Sequence, residues 1–120
     1  MESDDESEVI VLAPKGALDA YTAAEFRASV AGLPTSPARV VIDLTTVSFL
    51  DSAGLGALVG AIRRVRDAGG RVAVAAQRAP SRVLRTAGLD RIVTITEQLD
   101  EAHAALQTSD EASGETTDEP

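Results

Sequence analysis

The chain has 120 residues, enough for one domain. It has no cysteine, which excludes a disulfide framework, thiolate chemistry and a cysteine-based metal site. Its formal net charge is −8, yet acids are concentrated at the two ends and the body between them carries nine acidic and eleven basic residues.

The N-terminal stretch, residues 1–8, holds Glu2, Asp4, Asp5, Glu6 and Glu8 with no basic residue. It lacks the basic start and apolar core of a signal peptide. It reads as a solvated, disordered tail, and a cytoplasmic protein is expected. No apolar run approaches the length of a membrane span, so no membrane partner is expected. Val9 to Ala13 is a short apolar strand, turned by Pro14-Lys15-Gly16, and Ala17-Leu18-Asp19 continues to a helix start. Thr22 with Glu25 three residues later matches a capping box, and Ala23, Phe26 and Val30 give that helix a buried side. Residues 32–37 form a loop with two prolines.

Val40 to Leu44 is mostly apolar and β-branched, which suits a buried parallel strand. After a polar corner at Thr45-Thr46, residues 47–50 lead into Asp51-Ser52-Ala53-Gly54. From Leu55 the period becomes helical, with Leu55, Leu58, Val59, Ile62 and Val65 on one face. Gly69 and Gly70 end the helix, the first in the left-handed conformation of a C-terminal cap. Asp51 and Ser52 therefore stand where a strand hands over to a helix, beside free N–H groups and the positive end of the dipole. Two readings follow. Either residue serves as an N-cap, or Ser52 is a phosphorylation site whose added charge the helix start tolerates. Leu50 and Leu55 would make the unmodified corner a contact surface.

Val72 to Val74 lies in another buried strand, 71–76, and residues 77–80 form a loop. Ser81 is placed to cap a short helix with Val83, Leu84 and Ala87 inward, ended by Gly88. Residues 92–95 return to the sheet, and Thr96 caps a last helix with Leu99, Ala102 and Leu106 on one face. Residues 107–120 form a second acidic tail, expected to be disordered. The β-α alternation implies an α/β fold, a mostly parallel sheet of four to five strands with about four helices, near 22–31, 54–68, 81–87 and 97–106.

Catalytic sets are hard to assemble. Gly54, Gly56 and Gly60 miss the dinucleotide fingerprint because the third glycine falls one residue late. Helix packing accounts for Gly56 and Gly60 at lower cost. The only histidine, His103, sits near the end of the last helix, expected exposed, and Ser52 lacks the nucleophile-elbow sequence. One histidine and scattered carboxylates do not suggest a metal. Arg63, Arg64 and Arg66 form a basic cluster on the central helix, read as a solvated face or as a site for an acidic partner. With three aromatic residues in the chain, a base-stacking surface is not expected, and neither is direct nucleic-acid binding.

Residues 9–106 resemble a STAS domain, and more closely the bacterial anti-sigma factor antagonists. The likeness is carried by Gly16-Ala17-Leu18-Asp19, by Val41-Ile42-Asp43-Leu44 and above all by Phe49-Leu50-Asp51-Ser52-Ala53-Gly54-Leu55-Gly56. Gly69-Gly70 and residues 84–89 support it. The resemblance implies a non-enzymatic switch. The serine after the aspartate, here Ser52, is the residue that a kinase-type anti-sigma factor phosphorylates in that family. The unphosphorylated antagonist binds that factor and frees the sigma factor; phosphorylation blocks binding, and a serine phosphatase restores it. The partner supplies the ATP, so no cofactor is implied for this chain. Asp19, Leu50, Asp51, Ser52, Ala53, Gly54 and Leu55 are the implied partner-binding residues. Ala53 replaces a second hydroxyl found in many antagonists, which leaves Ser52 alone in the corner. An acidic tail stands where many members carry an N-terminal strand. The alternative implied function is a STAS scaffold or accessory subunit of a stress-sensing or lipid-transport complex.

Overall fold

The computed structural model describes residues 9–107. The acidic stretches assigned as tails lie outside the described residues, apart from Gln107, which belongs to the last helix. The elements are β1 (Ile10–Leu12), β2 (Gly16–Leu18), α1 (Thr22–Ala31), β3 (Arg39–Leu44), β4 (Val47–Leu50), α2 (Ser52–Asp67), β5 (Arg71–Ala76), α3 (Arg78–Thr86), a 3-10 turn (Leu89–Arg91), β6 (Thr94–Thr96) and α4 (99–107).

Four strands form one parallel sheet in the order β1-β3-β5-β6. β3, one of the two inner strands, is buried on both faces, as its mostly apolar run predicts, with Asp43 half-buried near its end. Strand alternation then sorts the core into two layers. Val40, Ile42 and Leu44 of β3 and Val72, Val74 and Ala76 of β5 face α1, α2 and α3, together with Phe26, Leu58, Ile62 and Leu84. Val41, Ala73 and Ala75 face the other way, against Ala102 and Leu106 of α4. Small alanines on β5 let that helix lie close to the sheet.

The sequence reading placed the main strands and the four helical segments, and did not foresee a second sheet. β2 and β4 pair in parallel as a separate two-stranded sheet, with a register irregularity between Gly16 and Ala17. The chain leaves β3 through a tight turn in which Asp43 Oδ1 accepts from the Thr45 N–H (2.9 Å) and hydroxyl (2.6 Å). β2 is three residues long and includes a glycine and an alanine, so its composition carries no strand signal.

Helix starts also differ from expectation. Thr22 does not cap α1: the N-cap position is Tyr21, which makes no side-chain cap bond, and the Asp19 carboxylate two residues earlier takes over the role, its Oδ1 accepting from the N–H groups of Tyr21 (3.0 Å) and Thr22 (3.1 Å). The Thr22 hydroxyl instead accepts from the Asp19 N–H (2.9 Å) and donates to the Ala17 carbonyl (2.7 Å), tying the helix back to β2. α3 starts at Arg78 after Gln77, a turn before Ser81. Pro80 lies in that first turn, where its missing N–H costs nothing. Ser81 is buried and accepts from Arg85 Nε at 3.3 Å. α4 starts at 99, after Gln98, whose N–H donates to Glu101 Oε1 at 3.4 Å, while the Thr96 hydroxyl donates to the Gln98 carbonyl. The end of α2 is as read. Gly69 has φ +86°, and the N–H groups of Gly69 and Gly70 donate to the carbonyls of Arg66 and Val65, the double bond of a Schellman cap.

Two helix glycines separate packing from propensity. A Cβ on Gly54 would stand 2.0 Å from the Leu18 carbonyl oxygen, whereas one on Gly60 meets nothing within 4 Å. Gly56 likewise has open space, with Arg27 Nη2 at 3.9 Å nearest, so helix packing does not explain Gly56 and Gly60. Gly54→Ala is expected to destabilise by about 1–3 kcal/mol through overpacking. Gly60→Ala is expected to stabilise by about 0.5–1 kcal/mol. Urea unfolding of the two variants checks both signs.

Candidate functional site

The site is the corner where β4 becomes α2, and the small sheet positions it. Register pairs Ala17 with Phe49 and Leu18 with Leu50. The next residues of the two strands, Asp19 and Asp51, are thereby brought to the same end, and the Asp51 N–H donates to the Leu18 carbonyl at 3.3 Å. Two acidic corners, each starting a helix, stand beside one another. The structure thus brings the end of β2, with Asp19, beside the Asp51-Ser52 segment.

The contest between Asp51 and Ser52 for the cap is decided by hydrogen bonds. Asp51 has an extended backbone, and its Oδ1 accepts from the Gly54 N–H at 2.9 Å. Its carbonyl accepts from the Leu55 N–H at 2.8 Å. Ser52 is the first helical residue and is exposed. Among the described residues no side-chain hydrogen bond engages its hydroxyl. The cap leaves the N–H groups of Ser52 and Ala53 at the helix start, where an anion is favoured.

Not every residue named for the contact surface is on it. Leu50 is 9% exposed and Gly54 is buried against Leu18. They hold the corner from below: Leu50 points to the side of β4 opposite Phe49, and Gly54 packs on the Leu18 carbonyl. Ala53 and Leu55 are half-buried. The residues that do project are aromatic: Phe49 is 54% exposed and Tyr21 88%. Their sequence signal was available. Two of the three aromatic residues fall two positions from Asp51 and Asp19, and Phe49 adjoins inward-facing Leu50.

The arginine cluster of α2 disperses. Arg64 Nη2 donates to the carbonyls of Leu33 (2.8 Å) and Ala31 (3.4 Å), closing the end of α1. Arg66 Nη1 donates to the Ile92 carbonyl. Arg63 and Arg66 are both exposed, and among the described residues Arg63 alone of the three makes no hydrogen bond or ion pair. His103 is half-buried rather than exposed, on α4. The sheet separates α4 from α2, so Ser52 and His103 do not form a nucleophile–base pair.

The family model of the STAS domain matches residues 1–102. The chain belongs to the STAS-domain family. Among solved structures it is similar to an anti-sigma factor antagonist of Mycobacterium paratuberculosis, at 29% identity over 82% of this chain and 86% of that one, with a TM-score of 0.66. It is similar to a candidate anti-sigma factor antagonist of Thermotoga maritima, at 26% identity over 82% and 87%, with a TM-score of 0.71. The STAS domain of a SulP transporter from Vibrio cholerae shares the fold, at 23% identity over 88% and 85%, with a TM-score of 0.68. No described helix is long and apolar enough to cross a membrane.

Two outcomes follow for the corner. Asp51→Ala removes the cap and is expected to cost about 1 kcal/mol, read from the shift in the denaturation midpoint. The Asp19 carboxyl is held below its ordinary value of 3.8, chiefly by the Thr22 N–H, with the Tyr21 N–H and the Thr22 hydroxyl adding and desolvation opposing. A depressed folded value means that Asp19 contributes stability above about pH 4, the unfolded value, and loses it as pH falls through the folded one. The stability gap between the unaltered chain and Asp19→Asn is therefore expected to be flat above about pH 5 and to shrink below pH 4. Urea titrations across that range measure it.

Proposed function

We propose that this chain is a phosphorylation-switched anti-sigma factor antagonist in which Ser52 is the phosphoacceptor. The observation that carries the reading is the division of labour at the corner: Asp51 caps the helix, and the Ser52 hydroxyl is left exposed. The likeness to the mycobacterial antagonist supports it. With Ser52 unmodified, the chain binds a kinase-type anti-sigma factor and releases the sigma factor. That partner binds the ATP and phosphorylates Ser52; a serine phosphatase reverses the step. Contact falls on Asp19, Asp51, Ser52, Ala53 and Leu55, and on exposed Tyr21 and Phe49. The chain acts in the cytoplasm through protein partners, without touching nucleic acid or membrane and without catalysis of its own.

Phosphate adds roughly two negative charges. At the helix start, N–H groups favour them and Asp51 opposes them, so the fold changes little in stability. At an interface shaped for a neutral hydroxyl the same charges are buried without partners, at a cost of several kcal/mol. A penalty of about 3 kcal/mol already weakens binding more than a hundredfold.

Purified kinase-type anti-sigma factors from the same genome are incubated with the chain and ATP, and phosphate is mapped by mass spectrometry. Phosphate is expected on Ser52. Ser52→Ala is expected to bind constitutively, and Ser52→Asp to bind at least a hundredfold more weakly while staying folded. Phosphate elsewhere, or equal binding by all forms, would sink the proposal. The likeness to a transporter STAS domain favours a second reading, an accessory subunit of a stress-sensing or lipid-transport complex. That reading expects binding indifferent to Ser52 substitution.

A further inference from the structure

The outer face of α3 is a surface that the corner does not use. Its inward residues are Pro80, Ser81 and Leu84. Ala79, Arg82, Val83 and Thr86 recur at helical spacing on the outside. Val83 and Ala87, expected inward from the sequence, are exposed, Val83 by 38%. These residues and Leu55 of α2 line an apolar groove of about 430 Å³. Leu55 lies three positions after Ser52, within one helical turn, so the groove opens beside the candidate phosphoacceptor.

The groove has a charged rim of one sign. α3 carries Arg78, Arg82 and Arg85 and no acidic residue. Arg85 is engaged inside the molecule: it donates to Ser81 Oγ and to the Ile95 carbonyl and lies 4.0 Å from Asp90. Arg78 and Arg82 are exposed, four residues apart on the same face. Among the described residues neither has a hydrogen bond or ion pair. An apolar slot beside two uncommitted guanidinium groups suits an amphipathic segment whose edge is acidic.

We infer that this groove, lined by Leu55 and Val83 and flanked by Arg78 and Arg82, docks an apolar segment with an acidic edge on the kinase-type anti-sigma factor. The inference rests on the partner-switching reading above and extends its contact surface from the corner onto α3. Continuity through Leu55 places groove and Ser52 hydroxyl under one partner. A segment seated in the groove holds the kinase-type active site over the serine.

The test is calorimetric titration of the full chain with the anti-sigma factor that phosphorylates it, using Val83→Glu, Arg82→Glu, Arg91→Glu and Ser52→Asp. Thermal midpoints confirm that each variant is folded. Val83→Glu and Arg82→Glu are each expected to weaken binding at least tenfold, the Arg82→Glu loss shrinking at about 0.5 M salt by screening. Arg91→Glu, past the far end of α3, is expected to bind normally. Unchanged affinity in either groove variant, with Ser52→Asp still defective, overturns the groove and leaves the switch standing. Full binding by Ser52→Asp as well takes down both. A dimer of this chain that Val83→Glu dissociates assigns the groove to a second copy and also overturns the inference.

Discussion

The structure depends on one close approach, the start of α2 against the end of β2. The Asp51 N–H reaches the Leu18 carbonyl, and a Cβ at Gly54 would stand 2.0 Å from the same oxygen. Only a glycine at Gly54 lets the first turn of the helix approach so near. That contact ties the end of β2 to the start of α2. It brings Asp19 to the side of Asp51 and sets the direction in which Ser52 leaves the surface. Leu18 and Leu50, paired in register beneath it, supply the apolar floor. Beside that floor, the pairing of β2 with β4 and the 3.3 Å bond from Asp51 to Leu18 position the corner.

What was legible in the sequence follows from signal length. The run at β3 and the period of α2 are long and belong to elements whose burial is uniform along a face, so hydrophobic pattern identifies them. The leucine and alanine stripe of α4 is similar. β2 and β4 are short, and the burial of β4 runs buried, exposed, exposed, buried, which breaks the alternation that marks a strand. Their pairing is a tertiary fact. Helix starts failed for a related reason. Several residues near each boundary are chemically able to cap, and backbone geometry chooses among them. At α1, Asp19 wins over Thr22 because Thr22 is already bonded to Ala17. At the proposed contact surface the strand turns Leu50 inward and Phe49 outward, a choice that two adjacent apolar residues do not reveal in the sequence.

The cap at α2 has a consequence for any modification of Ser52. A serine serving as its own helix cap would lose that bond on being phosphorylated, and helix and switch would be coupled. Here the capping oxygen belongs to Asp51, so the hydroxyl carries no structural duty. Stability and switching are thereby separable. The unclaimed N–H groups at the helix start offset part of the repulsion between a phosphate and the Asp51 carboxylate. In the proposed switch the fold therefore tolerates the charge, which is left to oppose a partner.

Charge in the body is sorted by use. Arg64, Arg66 and Arg85 are spent on carbonyl oxygens at loop and helix ends, which those atoms need when removed from water. Arg78 and Arg82 are not; they lie on α3, which packs against β4, the strand that carries Phe49. Ser52 therefore has apolar and aromatic surface reached through β2 and β4, and apolar and cationic surface reached through α3. A group at an interface centre is more completely desolvated than one at its rim, and a charge placed there costs more. A single phosphate acts strongly only if it is central. In the proposed switch that condition is met by a partner that covers both the aromatic surface of β2 and β4 and the groove of α3, because the start of α2 adjoins both through Leu18 and Leu55.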